Sequence, residues 1–156
     1  MKKIFLMAFV VMFALTACEK TPVNGALDGM WQLMEVSEKS PAAESGWEQA
    51  KSTKGEGIYW NFQLDLLVIH SQHQPLNGYT FDTATRFRHE GGRLELTEMY
   101  VHYDNRDSLI LDPATTIFEP LYIRSNRASY SVEKLTSQQL ILCSEYNRLV
   151  FRKFRK

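Results

Sequence analysis

ASYSVEKL (128–135), QLILC (139–143) and RLVFRKFR (148–155) follow one another with only TSQ (136–138) and SEYN (144–147) between them. The three runs are rich in residues that fit a pleated, half-buried surface, and the connectors are small polar residues that make turns. In the first run Tyr130 and Val132 alternate with Ser129, Ser131 and Glu133, the period of two that leaves one face of a strand buried. Three successive antiparallel strands are the economical reading.

The same punctuation runs back through the chain. RLELT (93–97) follows the turn Gly91-Gly92, and MYVHY (99–103) continues it to the charged turn DNRD (104–107). YTFD (79–82) and TRFRH (85–89) alternate large and polar residues. IYWNFQ (58–63) and LLVIH (66–70) are separated by Leu64-Asp65, which predicts a tight hairpin, and QHQPLNG (72–78) is a loop. MWQLMEV (30–36) opens the domain, followed by a polar insertion over 37–57 that can hold a short helix within 42–50. LIL (109–111) and TTIF (115–118) flank Asp112-Pro113, and Glu119-Pro120 closes this stretch. The chain thus predicts an all-β domain of about eight to ten short strands, either a closed barrel or a sandwich.

At the N-terminus, Lys2 and Lys3 precede an apolar run over residues 4–15, then small residues and Cys18. That order is the layout of an export signal. As a helix the run spans roughly 18 Å, short of the roughly 30 Å hydrocarbon core. LTAC (15–18) resembles the lipobox of bacterial lipoprotein precursors, in which a diacylglycerol is attached to the cysteine and cleavage falls just before it. The resemblance implies a leader over 1–17 and lipidation of Cys18. One acyl chain binds a bilayer marginally, whereas two or three make a durable anchor. EKTPVNG (19–25) reads as a polar tether. The expected organisation is therefore leader 1–17, lipidated tether 18–26 and folded domain 27–156, held in the cell envelope by its lipid, with the outer membrane as the expected site.

Loss of the leader removes Lys2 and Lys3, so the exported chain carries two more acidic than basic side chains. Nothing in that balance points to nucleic acid. Cys143 is then the one remaining cysteine, which excludes an internal disulfide; in the apolar run QLILC it reads as a small buried residue. His70 and His73 form the closest histidine pair, with His89 and His102 elsewhere, but a strand entering a loop need not bring the two rings together, and they read as solvated loop residues. No Gly-x-Ser-x-Gly or comparable nucleophile motif occurs, and Asp82, Glu90, Glu95, Asp104 and Asp107 fall at turns or on outward positions. The chain is read as a non-enzyme with no catalytic residue, metal site or cofactor.

LDGMWQL (27–33) resembles the Gly-x-Trp opening of lipocalins and of bacterial lipocalin-like lipoproteins. The closing YSVEKLTSQQLIL (130–142) and RLVFRK (148–153) are similar to the last strands of those lipoproteins. The resemblance implies a small antiparallel up-and-down β-barrel of about eight strands. It further implies that Gly29 and Trp31 close the narrow end, with a basic side chain of the last strand over the indole, for which Arg152 is the candidate. The chain differs from secreted lipocalins in its short middle section and in lacking a disulfide.

Two functions follow. The first is a membrane-anchored binding protein whose barrel takes a small apolar or amphipathic ligand, lined by Trp60, Phe62, Tyr79, Phe81, Phe87 and Tyr100. The second is an envelope module whose filled barrel is a scaffold for a protein or glycan partner. The basic tail over 148–156, interleaved with Leu149, Val150, Phe151 and Phe154, reads as a last strand with charged outward positions.

Overall fold

A computed structural model describes residues 23–72, 82–103 and 106–154. Ten strands follow in order: β1 (Gly29–Glu38), β2 (Lys51–Ser52), β3 (Ile58–Gln63), β4 (Leu66–Ser71), β5 (Thr83–Glu90), β6 (Arg93–Tyr103), β7 (Arg106–Leu109), β8 (Ala128–Leu135), β9 (Gln139–Cys143) and β10 (Asn147–Lys153). Eight of them form a ring in the order β1, β3, β4, β5, β6, β8, β9, β10, and β10 pairs back onto β1 to close it. Every pairing is antiparallel, so the barrel is an up-and-down meander. The two short strands lie outside this circuit. β2 takes over beside β1 at Glu35 and Val36, past the end of β3, and β7 takes over beside β6 at Tyr100, past the end of β8.

The alternation read from the sequence is what fills the ring. On β3, Ile58, Trp60 and Phe62 are buried while Tyr59 and Asn61 are partly covered and Gln63 is exposed. Leu67 and Ile69 of β4, Leu94 and Leu96 of β6, and Leu149 and Phe151 of β10 join the same core. Register shifts at Leu33/Glu35, Thr85/Phe87 and Val132/Lys134 interrupt the ladder, and such bulges bend strands enough to close a barrel. The hairpin at Leu64-Asp65 forms as expected, with Leu64 in the left-handed region at φ 57°.

Two stretches depart from expectation. Residues 42–50 form turns, not a helix: Ser40 N–H donates to the Gly46 carbonyl and Gly46 N–H to that of Ala43, and Lys39 bridges to Trp47. Gly25 and Ala26, expected to be unfolded, belong instead to a 3-10 turn, Gly25–Leu27, whose Leu27 is buried. Asn24 ties that turn down, its side-chain amide donating to Asp28 at 2.6 Å and to the Leu64 carbonyl at 2.7 Å.

Candidate functional site

The barrel has two different ends. The 3-10 turn Gly25–Leu27 seals the first, where the Trp31 indole N–H donates to the Leu27 carbonyl at 2.7 Å and Trp31 itself is fully buried. Lys153 lies over the indole, its Nζ 4.2 Å from the ring centre. The same ammonium donates to the carbonyls of Ala26 and Asp28. Gly29 makes this crossing feasible. Its φ of +101° suits a residue without Cβ, and an added Cβ would stand 3.4 Å from the Lys153 side chain. The basic cover of Trp31 is therefore Lys153 and not the expected Arg152, which turns to the opposite face and donates to the Gln32 side chain at 3.2 Å.

Residues 110–127 cover the second end. Phe118, Leu121 and Ile123 of this segment are all but fully buried and belong to the core. The 3-10 turn Glu119–Leu121 ends on Tyr122, held at φ 63°. The Tyr122 hydroxyl donates to the Glu56 carboxylate at 2.9 Å and accepts from Lys51 at 3.1 Å, while Lys51 also pairs with Glu56. Asn147 donates its side-chain amide to the Tyr122 carbonyl at 2.7 Å.

Between the two ends lies an aromatic interior. The Trp60 ring centre is 5.0 Å from that of Phe151, 5.9 Å from Tyr130 and 6.1 Å from Phe62, and Phe62 meets Phe87 edge-on at 5.1 Å. Burial pushes the Tyr130 phenol well above its ordinary value, so it is neutral at any physiological pH. Within this apolar volume, Trp60 Nε1 and Thr83 Oγ1 are buried without a hydrogen-bond partner, and so is Thr53 Oγ1 just after β2. Trp60 and Thr83 share a level of the barrel, because Ile69 pairs with Trp60 on one side and Thr83 on the other. A buried polar group left unpaired costs about 1–3 kcal/mol.

Of the expected pocket residues, Trp60, Phe62 and Phe87 are buried in the interior. Tyr100 is not among them. Its β6 neighbours Met99 and Val101 are buried, and its hydroxyl donates to Glu98 at 3.2 Å on the outer face. Tyr79, Phe81 and Cys18 lie outside the described residues, as does His73. His70 pairs with Asp82 and His102 with Asp107, in separate places, and no cluster of three or more metal-ligating side chains occurs among the described residues. Cys143 is buried, yet it lies on the outer side of β9, apart from the core. Burial and a hydrogen bond to Glu133 push its thiol up to about 12.

An antiparallel up-and-down ring, sealed at one end by a tryptophan beneath a basic side chain, defines the class of small enclosing barrels. The chain belongs to the lipocalin-like domain family, which matches residues 12–154. Among solved structures it is similar to a lipocalin-like protein from Bacteroides uniformis, at 17% identity and a TM-score of 0.59, covering 83% of this chain and 100% of that one. It is also similar to an uncharacterized protein from Bacteroides eggerthii, at 16% identity and a TM-score of 0.54, covering 81% of this chain and 98% of that one. No curated protein matches it.

Proposed function

We propose that this protein is a non-catalytic, membrane-anchored carrier that holds a small amphipathic ligand inside its barrel. The observation that carries this reading is the pair of unpaired polar atoms, Trp60 Nε1 and Thr83 Oγ1, within an otherwise apolar interior. A ligand with an apolar body and one hydrogen-bonding group would offset their desolvation while filling apolar space. Cys18 carries the lipid. Only four residues lie between it and Val23, the first described residue, so the five steps of chain reach at most about 18 Å. In this reading the Trp31 end lies toward the bilayer, with the outer membrane as the proposed site, and the end covered by residues 110–127 lies away from it.

The test is native mass spectrometry of residues 19–156, exported behind an ordinary cleavable secretory leader, purified from its own envelope and compared before and after organic extraction. A discrete mass released by extraction supports the carrier, and Trp60→Phe, which keeps an aromatic ring of smaller size and deletes the N–H, should then weaken rebinding roughly tenfold. A chain that stays ligand-free in envelope lipid extract overturns it. The second reading, a filled barrel that presents its outside to a protein or glycan, is favoured by the close ring contacts around Trp60. For the anchor, Cys18→Ser behind a leader that is cleaved independently of the cysteine should move the protein from the membrane to the soluble fraction; retention in the membrane would remove Cys18 from this role.

A further inference from the structure

A groove of about 550 Å³ runs along the outside of β8, away from the barrel interior. Arg93, Arg124, Arg127, Ser129, Ser131 and Tyr146 line it, Glu145 is the acidic residue of that lining, and Glu95, paired with Arg88, stands in register beside Ser129. Three arginines elsewhere on the outer wall are matched, Arg86 with Asp65, Arg88 with Glu95 at 2.7 Å and Arg148 with Glu133 at 2.9 Å, while Arg106 makes no salt bridge among the described residues and Arg152 meets the neutral Gln32 side chain. In the groove Arg124 reaches Glu38 only at 3.5 Å, and Arg93 and Arg127 make no salt bridge among the described residues.

The cations are spread along the groove. Arg93 pairs in register with Ser131, and Arg127 immediately precedes Ala128, the first residue of β8. Four residues of strand separate these positions by about 13 Å. Ser129 and Ser131 are exposed between them, the Ser131 hydroxyl donating to the Cys143 carbonyl at 3.2 Å and keeping its oxygen as an acceptor. At one wall the Tyr146 ring is 45% exposed, with the Arg124 guanidinium 5.3 Å from its centre. A single small anion cannot span that spacing, and a flat bilayer cannot enter a concave recess. Guanidinium forks match carboxylates in geometry and charge, and a flat exposed ring offers a face against which sugar C–H groups pack.

We propose that this groove binds a short acidic oligosaccharide, with carboxylates at Arg93 and Arg127, hydroxyls toward Ser129 and Ser131, and one sugar ring against Tyr146. The site is separate from the barrel interior and does not depend on what the interior carries.

The experiment is calorimetric titration of the full chain in detergent with three probes: trigalacturonate, uncharged maltotriose and inorganic phosphate. Saturable binding of trigalacturonate alone is expected, weaker at higher salt. Arg93→Gln and Arg127→Gln should each weaken it roughly tenfold, the loss of one charge-assisted pair. Tyr146→Ala should weaken it as well, whereas Arg86→Gln, which pairs with Asp65 away from the groove, should leave it unchanged. Melting temperatures of these surface variants confirm that each is folded. Equal binding of maltotriose, equal binding of phosphate, or indifference to the two arginine variants overturns the proposal.

Discussion

At the scale of single residues, Trp31 is a structural side chain whose three supports have separate origins: the Leu27 carbonyl takes its N–H, Lys153 covers its face, and Gly29 leaves room for that lysine. Trp31→Ala should therefore lower stability by roughly 3–5 kcal/mol, read from denaturant midpoints, as a large buried ring is lost. Retained stability with loss of a carried ligand would reverse the assignment. Cys143 makes an opposite prediction. With its thiol held at about 12, it should react with iodoacetamide at pH 8 on the order of a thousandfold more slowly than in the unfolded chain, measured in a Cys18→Ser background. The choice between Arg152 and Lys153 was within reach of the sequence. Leu149 and Phe151 mark the buried parity of the last strand, and Lys153 continues that parity whereas Arg152 breaks it. Thr83 was legible in the same way, as the next residue inward along β5 from Thr85 and Phe87.

Among elements, hairpins were the most legible, because a two-residue turn between two alternating runs sets both strands at once. The segment over residues 110–127 was not. Its buried residues Phe118, Leu121 and Ile123 follow neither a strand nor a helix period, since a cap over a barrel end is shaped by the hole it fills. The polar fastening of that cap predicts a pH effect. The hydrogen bonds that Lys51 donates to Tyr122, foremost, and to Glu56 raise it from 10.5 to about 12 in the folded protein. Burial foremost raises Tyr122 as well. Both groups bind their proton more tightly when folded, so each contribution is lost on the alkaline side; that of Lys51 is complete below about pH 10.5 and is lost as pH rises through about 12. Lys51 is well exposed, which keeps the contribution small. Melting temperature should fall over this window, and Lys51→Met should flatten the fall. An unchanged alkaline slope in that variant would sever the cap's fastening from Lys51.

For the whole molecule, the barrel and its family were legible because both ends of the domain carried the pattern, the Gly-x-Trp opening and the three closing strands. What the ring encloses was not, because the same alternating aromatics serve a packed core and a lined pocket alike. Deleting residues 147–156 should leave an aggregating chain, detectable by light scattering, since the facing edges of β1 and β9 would both lose their partner. The seam between β1 and β10 also acts in time. β1 pairs with β10 from Trp31↔Lys153 to Glu38↔Asn147, across more than a hundred intervening residues, so the first strand to emerge during synthesis waits for the last. Such a chain gains little from folding piecemeal and stays open until it is whole, the state in which a polypeptide can be threaded through a narrow channel.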